Sequence, residues 1–318
     1  MRYDKDGFPI PPDFDFRTDD SSEAGFPGAA ASGGARQPSP ARPSGGGSRK
    51  RMLLVAFVAA GLVPAIVGPE LMPTIRRAVV EWSLERAAER EARSDVAGAV
   101  GDVSRALHWH GDDAELLCMR AMLRLENRDA AGALGDAERA AAMAPTAIQP
   151  LRVRALIHVV NANADAALAD AGMVVELASR GDPDALNHRA YIRALVGREL
   201  PAALADIEAA IASAGEASAE LLDTRGYILH LLDRQQEAID QLNLAIDSMQ
   251  QSRRQLALLA GRIDPVELAR RQRALDHGLA VMFHHRGLAC RAIGLEQQAR
   301  QDLEIAGRKG FDPSRGIF

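Results

Sequence analysis

The chain has few aromatic residues, few cysteines and no excess of basic charge. Aromatic side chains make up only 4% of the 318 residues, so a folded core has to be built from aliphatic groups. The two cysteines, Cys118 and Cys290, exclude a framework of several disulfides, although one bridge between them stays open. The formal net charge of -5 gives no general attraction to a polyanion. Nucleic acid is therefore not expected as a partner.

The sequence also lacks the motifs of common enzyme classes. It has no glycine-rich phosphate loop and no nucleophile elbow, so we expect neither catalysis nor a cofactor. In the run His284–Cys290, no two metal-binding side chains stand three or four residues apart, so they do not converge on one helix. The run His108–Asp113 falls where a helix should end, and a polar turn explains it. A metal-dependent enzyme using His108, His110 and Asp112 is the last of the functional alternatives.

Residues 1–73 differ in composition from the rest of the chain. Residues 1–48 are rich in Pro, Gly, Ser and Ala and should form a disordered tail, because such a segment buries too little apolar surface to fold. Residues 49–73 contain Met52–Gly68, an uncharged and mostly apolar run whose length is at the lower limit for a membrane-spanning helix. The basic cluster Arg49–Arg51 precedes it. The sequence thus predicts an uncleaved single-pass anchor, with the N-terminus cytoplasmic and the C-terminal part outside the cytoplasm.

A short mark recurs through the C-terminal part of the chain. It is an arginine followed by alanine or glycine; the first four intervals between marks are nearly equal, and the fifth is almost twice as long. An alanine follows 12 or 13 positions after the small residue, and an apolar residue stands four positions beyond that alanine. This spacing predicts two helices per unit, with small residues where the helix axes come close. The arginines of the marks are Arg86, Arg120, Arg154, Arg189, Arg225 and Arg286.

This pattern resembles the tetratricopeptide repeat, a helix-turn-helix unit of about 34 residues. The resemblance implies an all-α fold: a right-handed α-solenoid over residues 74–318, in a membrane-anchored protein of bacterial origin. The side chains that match one unit of the family closely are Leu117, Ala121, Ala133, Ala137 and Pro145. The implied units are about six in number and lie near 80–113, 114–147, 148–182, 183–218, 219–250 and 280–313.

The long interval between the last two marks predicts an inserted helical hairpin at 251–279. An apolar stripe continues through it, and Asp264, Pro265 and Glu267 form a helix-start signal, so two long antiparallel helices are expected. Their expected bounds are 236–262 and 265–293. The arginines of the hairpin form a solvated face above a packed stripe, or else they contact anionic lipid or an acidic partner. They are Arg253, Arg254, Arg262, Arg270, Arg271 and Arg273.

In the tetratricopeptide family, the first helix of each unit lines a concave groove that binds peptide segments. Positions two and five residues after each arginine fall on that side of this chain. The resemblance implies that a hydrophobic or amphipathic segment of a partner protein binds there, unless the protein's own helices cover the same residues. The implied groove residues are Met122, Leu156, Tyr191, Tyr227, Leu288, Leu125, Val159, His230 and Arg291.

An aspartate stands three residues after the repeat alanine in every unit except the fifth, where Gln241 replaces it. We expect each repeat arginine to pair with such an aspartate and thereby to form a structural ladder. The leading functional prediction is a membrane-anchored scaffold for protein–protein interaction, without catalysis. The alternative is a structural or assembly subunit that oligomerises through the hairpin.

Overall fold

The structure, a computed structural model, describes residues 2–3, 9–10 and 71–312. Two short strands, β1 (Arg2–Tyr3) and β2 (Pro9–Ile10), pair antiparallel. The rest of the predicted tail and the predicted span Met52–Gly68 lie outside the described residues. Among the residues that are described, no helix is both long enough and apolar enough to cross a bilayer. The strand pair and the chain from Arg76 onward belong to two separate units.

Apart from the strand pair, the regular structure of the described residues is α-helical, which confirms the predicted fold class for this part of the chain. The helices are α1 (Met72–Ala92), α2 (Val96–His110), α3 (Ala114–Glu126), α4 (Ala130–Met143), α5 (Ile148–Val160), α6 (Ala164–Leu177), α7 (Pro183–Leu195), α8 (Leu200–Ala214), α9 (Ala219–Leu231), α10 (Gln235–Leu258), α11 (Pro265–Ala292) and α12 (Glu296–Arg308).

The turn inside a unit is short because one residue reverses the chain and the next caps the second helix. Between α3 and α4, Arg128 adopts a left-handed conformation with a φ of 64°. The carboxylate of Asp129 then accepts a hydrogen bond from the Gly132 N–H at 2.9 Å. Ser94 and Asp95 repeat this arrangement before α2. The cap satisfies a backbone donor that the start of a helix leaves unpaired, so the polar turn sequence fixes where α2 and α4 begin.

The helices pair within units and stack between units. The pairs α3–α4, α5–α6, α7–α8, α9–α10 and α11–α12 are in contact, and each second helix from α2 to α8 contacts the first helix of the next unit. The first helices α3, α5, α7, α9 and α11 also contact one another in succession. Because the first helices approach each other from unit to unit, they form the inner side of the stack, and the second helices form the outer side.

Small residues make the close pairing possible. Ala121 and Ala133, on the facing helices α3 and α4, are completely buried. In the last unit, a Cβ added to Gly287 would lie 2.9 Å from Cγ of Leu303 and 3.3 Å from the carbonyl oxygen of Ala299. The aliphatic core therefore depends on alanine and glycine at the marks, since a larger side chain would push the helix axes apart.

The α10–α11 hairpin contains the two longest helices of the described residues. These helices have 24 and 28 residues, against 13 to 15 for the other helices from α2 onward. A Cβ added to Gly278 would meet the methyl carbon of Met249 at 3.1 Å, so the two helices are close together at this level. Helix α10 ends at Leu258 and not at residue 262 as predicted. The chain turns before that point, because Gly261 takes a positive φ of 81°.

Candidate functional site

The surface of the first helices that points to the inner side of the stack is called the inner face. Its candidate residues are those two before, two after and five after each repeat arginine, of which only those that are not buried form the surface. Its first part is an apolar strip, made of Met122 on α3 and Leu156 and Val159 on α5, which are all half-buried. Helices α3 and α5 are in contact, so the strip crosses from one unit to the next. Leu125 lies beneath this surface, because it is buried in the core of the first units.

The middle of the inner face is filled by the protein's own polar and aromatic side chains. The carboxylate of Asp223 on α9 lies 2.9 Å from Nδ1 of His285 on α11. The ring of Tyr227 stacks on that of His285, with centroids 4.2 Å apart, and a second stack joins Tyr227 to His230. Tyr227 is 2% exposed. Of the two implied groove tyrosines, Tyr227 is thus covered from within, whereas Tyr191 on α7 is half-buried.

Burial sets the charge state of this region. It raises the pKa of the Tyr191 and Tyr227 phenols well above the usual value, and the nearby carboxylate of Asp223 adds to the effect. Burial lowers the pKa of His230, and it lowers the pKa of His284 to about 3. These phenols and imidazoles are therefore uncharged at neutral pH. Of these rings, Tyr227 and His284 are buried, so Tyr191 and His230 are the ones that a ligand could reach.

Two arginines place positive charge on the inner face. Arg291, at the end of α11, is exposed, and Arg152 on α5 is half-buried. Neither forms a hydrogen bond or ion pair with the residues that the structure describes. Leu288 lies one turn before Arg291 and is half-buried. The inner face thus combines an apolar strip with two cationic groups that are free to bind carboxylates.

The two histidine-rich runs lie in different surroundings. His284 is buried against the ring of Phe311, with centroids 4.4 Å apart, and its ring centroid is 6.3 Å from that of His285. Cys290 is buried in an apolar cluster, and this burial raises the pKa of its thiol. His108 and His110 are exposed near the end of α2. Within the described residues, no group of three or more His, Cys, Asp or Glu side chains is arranged to hold a metal ion.

The repeat arginines form the ladder of ion pairs between the two helices of their units. In four units, Nε and Nη2 of the arginine both bind the buried aspartate of the same unit. The pairs and distances are Arg120–Asp136 (2.7 and 2.6 Å), Arg154–Asp170 (2.8 and 2.6 Å), Arg189–Asp206 (2.7 and 2.7 Å) and Arg286–Asp302 (2.8 and 2.7 Å). The first unit is looser, with 3.7 Å between Arg86 Nε and Asp102. A bidentate pair fixes the orientation of both side chains, so each of these Arg–Asp pairs holds the two helices of its unit in a defined alignment.

The fifth unit departs from the ladder in the way its sequence implies. Gln241 replaces the aspartate, and Arg225 reaches Glu208 of the preceding unit at 3.7 Å. Its buried Nε has no hydrogen-bond partner among the described residues. This unit is also the one whose second helix extends into the hairpin.

Our sequence prediction missed a second row of arginines that joins the same carboxylates. Arg124 donates to Asp136 at 2.8 Å, and Arg193 likewise binds Asp206. Arg90 lies 3.2 Å from Asp102. These arginines stand four residues after the repeat arginines, which is the separation that places two side chains on one side of a helix. That spacing was a signal available in the sequence.

Comparison with known proteins gives likenesses in structure alone. No model of a known protein family matches the chain, and no curated protein matches it. A thermophilic TPR protein from Thermus thermophilus aligns over 62% of this chain and 98% of its own, with 17% identity and a TM-score of 0.48. A tetratricopeptide repeat protein from Parabacteroides merdae aligns over 74% and 94%, with 16% identity and a TM-score of 0.44. YrrB, described as a TPR protein with an unusual peptide-binding site, aligns over 65% and 92%, with 15% identity and a TM-score of 0.35. The tetratricopeptide-like description of this chain rests on its own helix pairing.

Proposed function

We propose that this chain is a membrane-anchored scaffold that binds a segment of another protein on its inner face. The observation that carries the proposal is the apolar strip of Met122, Leu156 and Val159, which crosses two neighbouring first helices and stays half-exposed. Apolar side chains of a partner would gain about 25 cal/mol for each Å² that they remove from water on such a strip.

The partner that fits best is an amphipathic segment carrying carboxylates. Its apolar side chains would cover the strip, and its carboxylates would pair with Arg152 and Arg291, which lack partners within the described residues. Arginine binds carboxylates through a planar fork of donors, which gives such pairs a defined orientation. Tyr191 would border the segment, whereas the buried Tyr227 would support the surface from below.

A capture experiment with matched variants tests the proposal. The tagged full chain is used to capture proteins from solubilised membranes, as wild type, as Leu156→Asp with Val159→Asp, and as Met173→Asp. Met173 is a suitable control because it is 41% exposed on α6, a second helix. We expect the inner-face variant to lose a captured protein that the Met173 variant retains, at equal helical content by circular dichroism. Equal capture by all three proteins contradicts the proposal, and capture of further copies of this chain alone supports the assembly alternative.

The anchor and its orientation are part of the same proposal. Met52–Gly68 would span the bilayer, with the N-terminus in the cytoplasm and the helix pairs outside it, arranged as a right-handed solenoid. The support is the sequence alone, in which an uncharged and mostly apolar run follows the basic cluster Arg49–Arg51. Protease protection of a tag at the C-terminus, in sealed right-side-out vesicles, checks the orientation. A tag that is digested from outside agrees with it, and a protected tag contradicts it.

A further inference from the structure

The tip of the α10–α11 hairpin exposes large apolar side chains. Leu258 is 76% exposed and Leu259 is 37% exposed, at the point where α10 ends and the chain turns. Leu256, by contrast, is buried within the hairpin. None of the other large apolar residues in the described part is as exposed as Leu258. Most of the Leu258 side chain and part of Leu259 therefore remain in water, and a surface that covers them would remove apolar area from water.

Positive charge collects around the same tip. Residues 253–273 hold six arginines against Asp264 and Glu267, a net charge of +4 in a chain whose total is -5. The carboxylate of Asp264 is used by the backbone N–H groups at the start of α11. Glu267 binds two of the arginines, Arg270 and Arg271, at 2.8 and 2.6 Å.

Three arginines are left to act on an outside ligand. A fourth, Arg253, lies 3.5 Å from Asp276 at the base of the hairpin. The arginines that form no hydrogen bond or ion pair with the described residues are Arg254, Arg262 and Arg273.

The helix register places these arginines just below the leucines. Met249 and Gly278 lie opposite one another in the antiparallel pair. Five residues further toward the tip on each helix are Arg254 and Arg273, so they lie level with each other, about 7.5 Å beyond that contact at about 1.5 Å per residue. Leu258 stands one turn further out, and Arg262 lies in the tip turn itself. Arg254, Arg262, Arg273, Leu258 and Leu259 together are called the tip surface.

We infer that the tip surface contacts an anionic phospholipid bilayer. The two leucines enter the boundary between headgroups and acyl chains, and the three arginines bind lipid phosphates with their planar donor forks. A polyanionic nucleic acid would engage the arginines but would leave the leucines in water. An acidic protein would have to supply an apolar recess that fits the two leucines, whereas a bilayer accepts them without a preformed shape. The combination of charge and apolar area therefore favours lipid.

An environment-sensitive fluorophore at the tip tests this inference. Cys118 and Cys290 are both buried, so an introduced surface cysteine is labelled selectively. Ala260→Cys carries the probe at the tip and leaves both leucines in place, and Ser179→Cys carries it at an exposed turn between α6 and α7. The labelled full chain is combined with vesicles of phosphatidylcholine alone or of phosphatidylcholine mixed with phosphatidylglycerol. We expect a blue shift in emission at the tip probe with the mixed vesicles, weakened by added salt, and no shift at the Ser179→Cys probe.

Matched variants separate the contributions of charge and apolar contact. Changing Arg254, Arg262 and Arg273 together to Gln should abolish the shift, and so should changing Leu258 and Leu259 to Gln. The control changes three exposed arginines elsewhere on the molecule to Gln and should keep the shift. These control positions are Arg93, Arg180 and Arg308, which form no ion pair with the described residues.

Three results would overturn the inference. One is an equal shift at the Ser179→Cys probe, which would show contact along the whole molecule. Another is an equal shift with phosphatidylcholine alone. The third is a shift with soluble polyglutamate and none with the mixed vesicles, which would assign the tip surface to an acidic protein partner. Far-UV circular dichroism of each variant verifies that the helices are retained.

Discussion

Removing one carboxylate of the ladder should uncouple a helix pair. Asp136 is 2% exposed and accepts hydrogen bonds from Arg120 at 2.7 and 2.6 Å and from Arg124 at 2.8 Å. In Asp136→Ala, Arg120 loses its carboxylate partner in a half-buried site, and Arg124 keeps only the more exposed Asp129 at 3.6 Å. Breaking a buried pair in this way costs about 3 to 5 kcal/mol. We expect a loss at the lower end of that range, because the arginine side chains are 13% and 25% exposed and can regain some water.

Local hydrogen exchange is the appropriate assay, because each unit of a stacked array depends mainly on its neighbours. A loss of about 3 kcal/mol corresponds to roughly 100-fold faster exchange of the slowest amides in α3 and α4, since about 1.4 kcal/mol is tenfold. Urea unfolding followed by circular dichroism should show the same loss. The helix itself gains a few tenths of a kcal/mol from the Asp-to-Ala change, so any destabilisation comes from the lost ion pairs.

Gln241→Ala is the matched control, because it removes the residue at the same position of the unit that lacks the carboxylate. It should change stability by no more than about 0.5 kcal/mol. An exposed ion pair contributes at most about 1 kcal/mol. If Asp136→Ala costs less than that, or no more than the control, then the Arg–Asp pairs do not couple the helices and our reasoning about the ladder is wrong.

Two further predictions follow from helix contacts and from buried histidines. Gly287→Ala should destabilise the protein by about 1 to 3 kcal/mol, because its Cβ would clash across the helix pair. In Gly135→Ala the added Cβ meets no atom within 4 Å, so this variant should be more stable by up to about 1 kcal/mol. Thermal unfolding of the two variants measures the difference, and equal shifts in melting temperature would contradict the close approach of the helices. Burial lowers the pKa of His188 and of His284 to about 3 from 6.5. Because the folded state holds them neutral, their contribution to stability is complete above pH 6.5 and is lost as the pH falls toward 3. Between about pH 7.5 and 5.5 this loss is about 3 kcal/mol for the pair. Urea unfolding of His188→Gln with His284→Gln should show a smaller pH dependence than the wild type, and an unchanged pH dependence would refute the assignment.

The helical pairing was predictable because its cause is local and periodic. The Arg-Ala or Arg-Gly marks repeat at intervals close to the length of one tetratricopeptide repeat. Small residues such as Ala121 and Ala133 allow the two helices of a unit to pack closely, and the same positions are small in the other units. The end of α10 was harder to place, because the apolar stripe continues past Leu258 and only the backbone of Gly261 shows the turn. The second row of arginines was also predictable from the sequence, because its members stand four residues after the repeat arginines and so lie on the same side of the helix.

The state of the inner face depends on contacts that a single helix does not encode. Tyr227 shares the periodic position of Met122 and Leu156, and all three would be exposed on an isolated first helix. Its burial arises from His285, which lies on α11 and comes 58 residues later in the chain, beyond the predicted insertion 251–279. Sequence spacing cannot show which side chain of a later unit covers a given position. The exposed apolar strip and the covered middle of the inner face could therefore be told apart only in the structure.

The scaffold proposal is tested most directly by crosslinking from the inner face. A photoreactive benzoylphenylalanine replaces Met122 on the apolar strip, and in a second protein it replaces Met143, which is 46% exposed on the second helix α4. Both full-length proteins are irradiated in membranes and analysed for covalent adducts. The account predicts an adduct with one defined protein from position 122 and none with that protein from position 143. The same adducts from both positions, or an adduct from position 143 alone, would contradict the claim that the inner face is the binding surface.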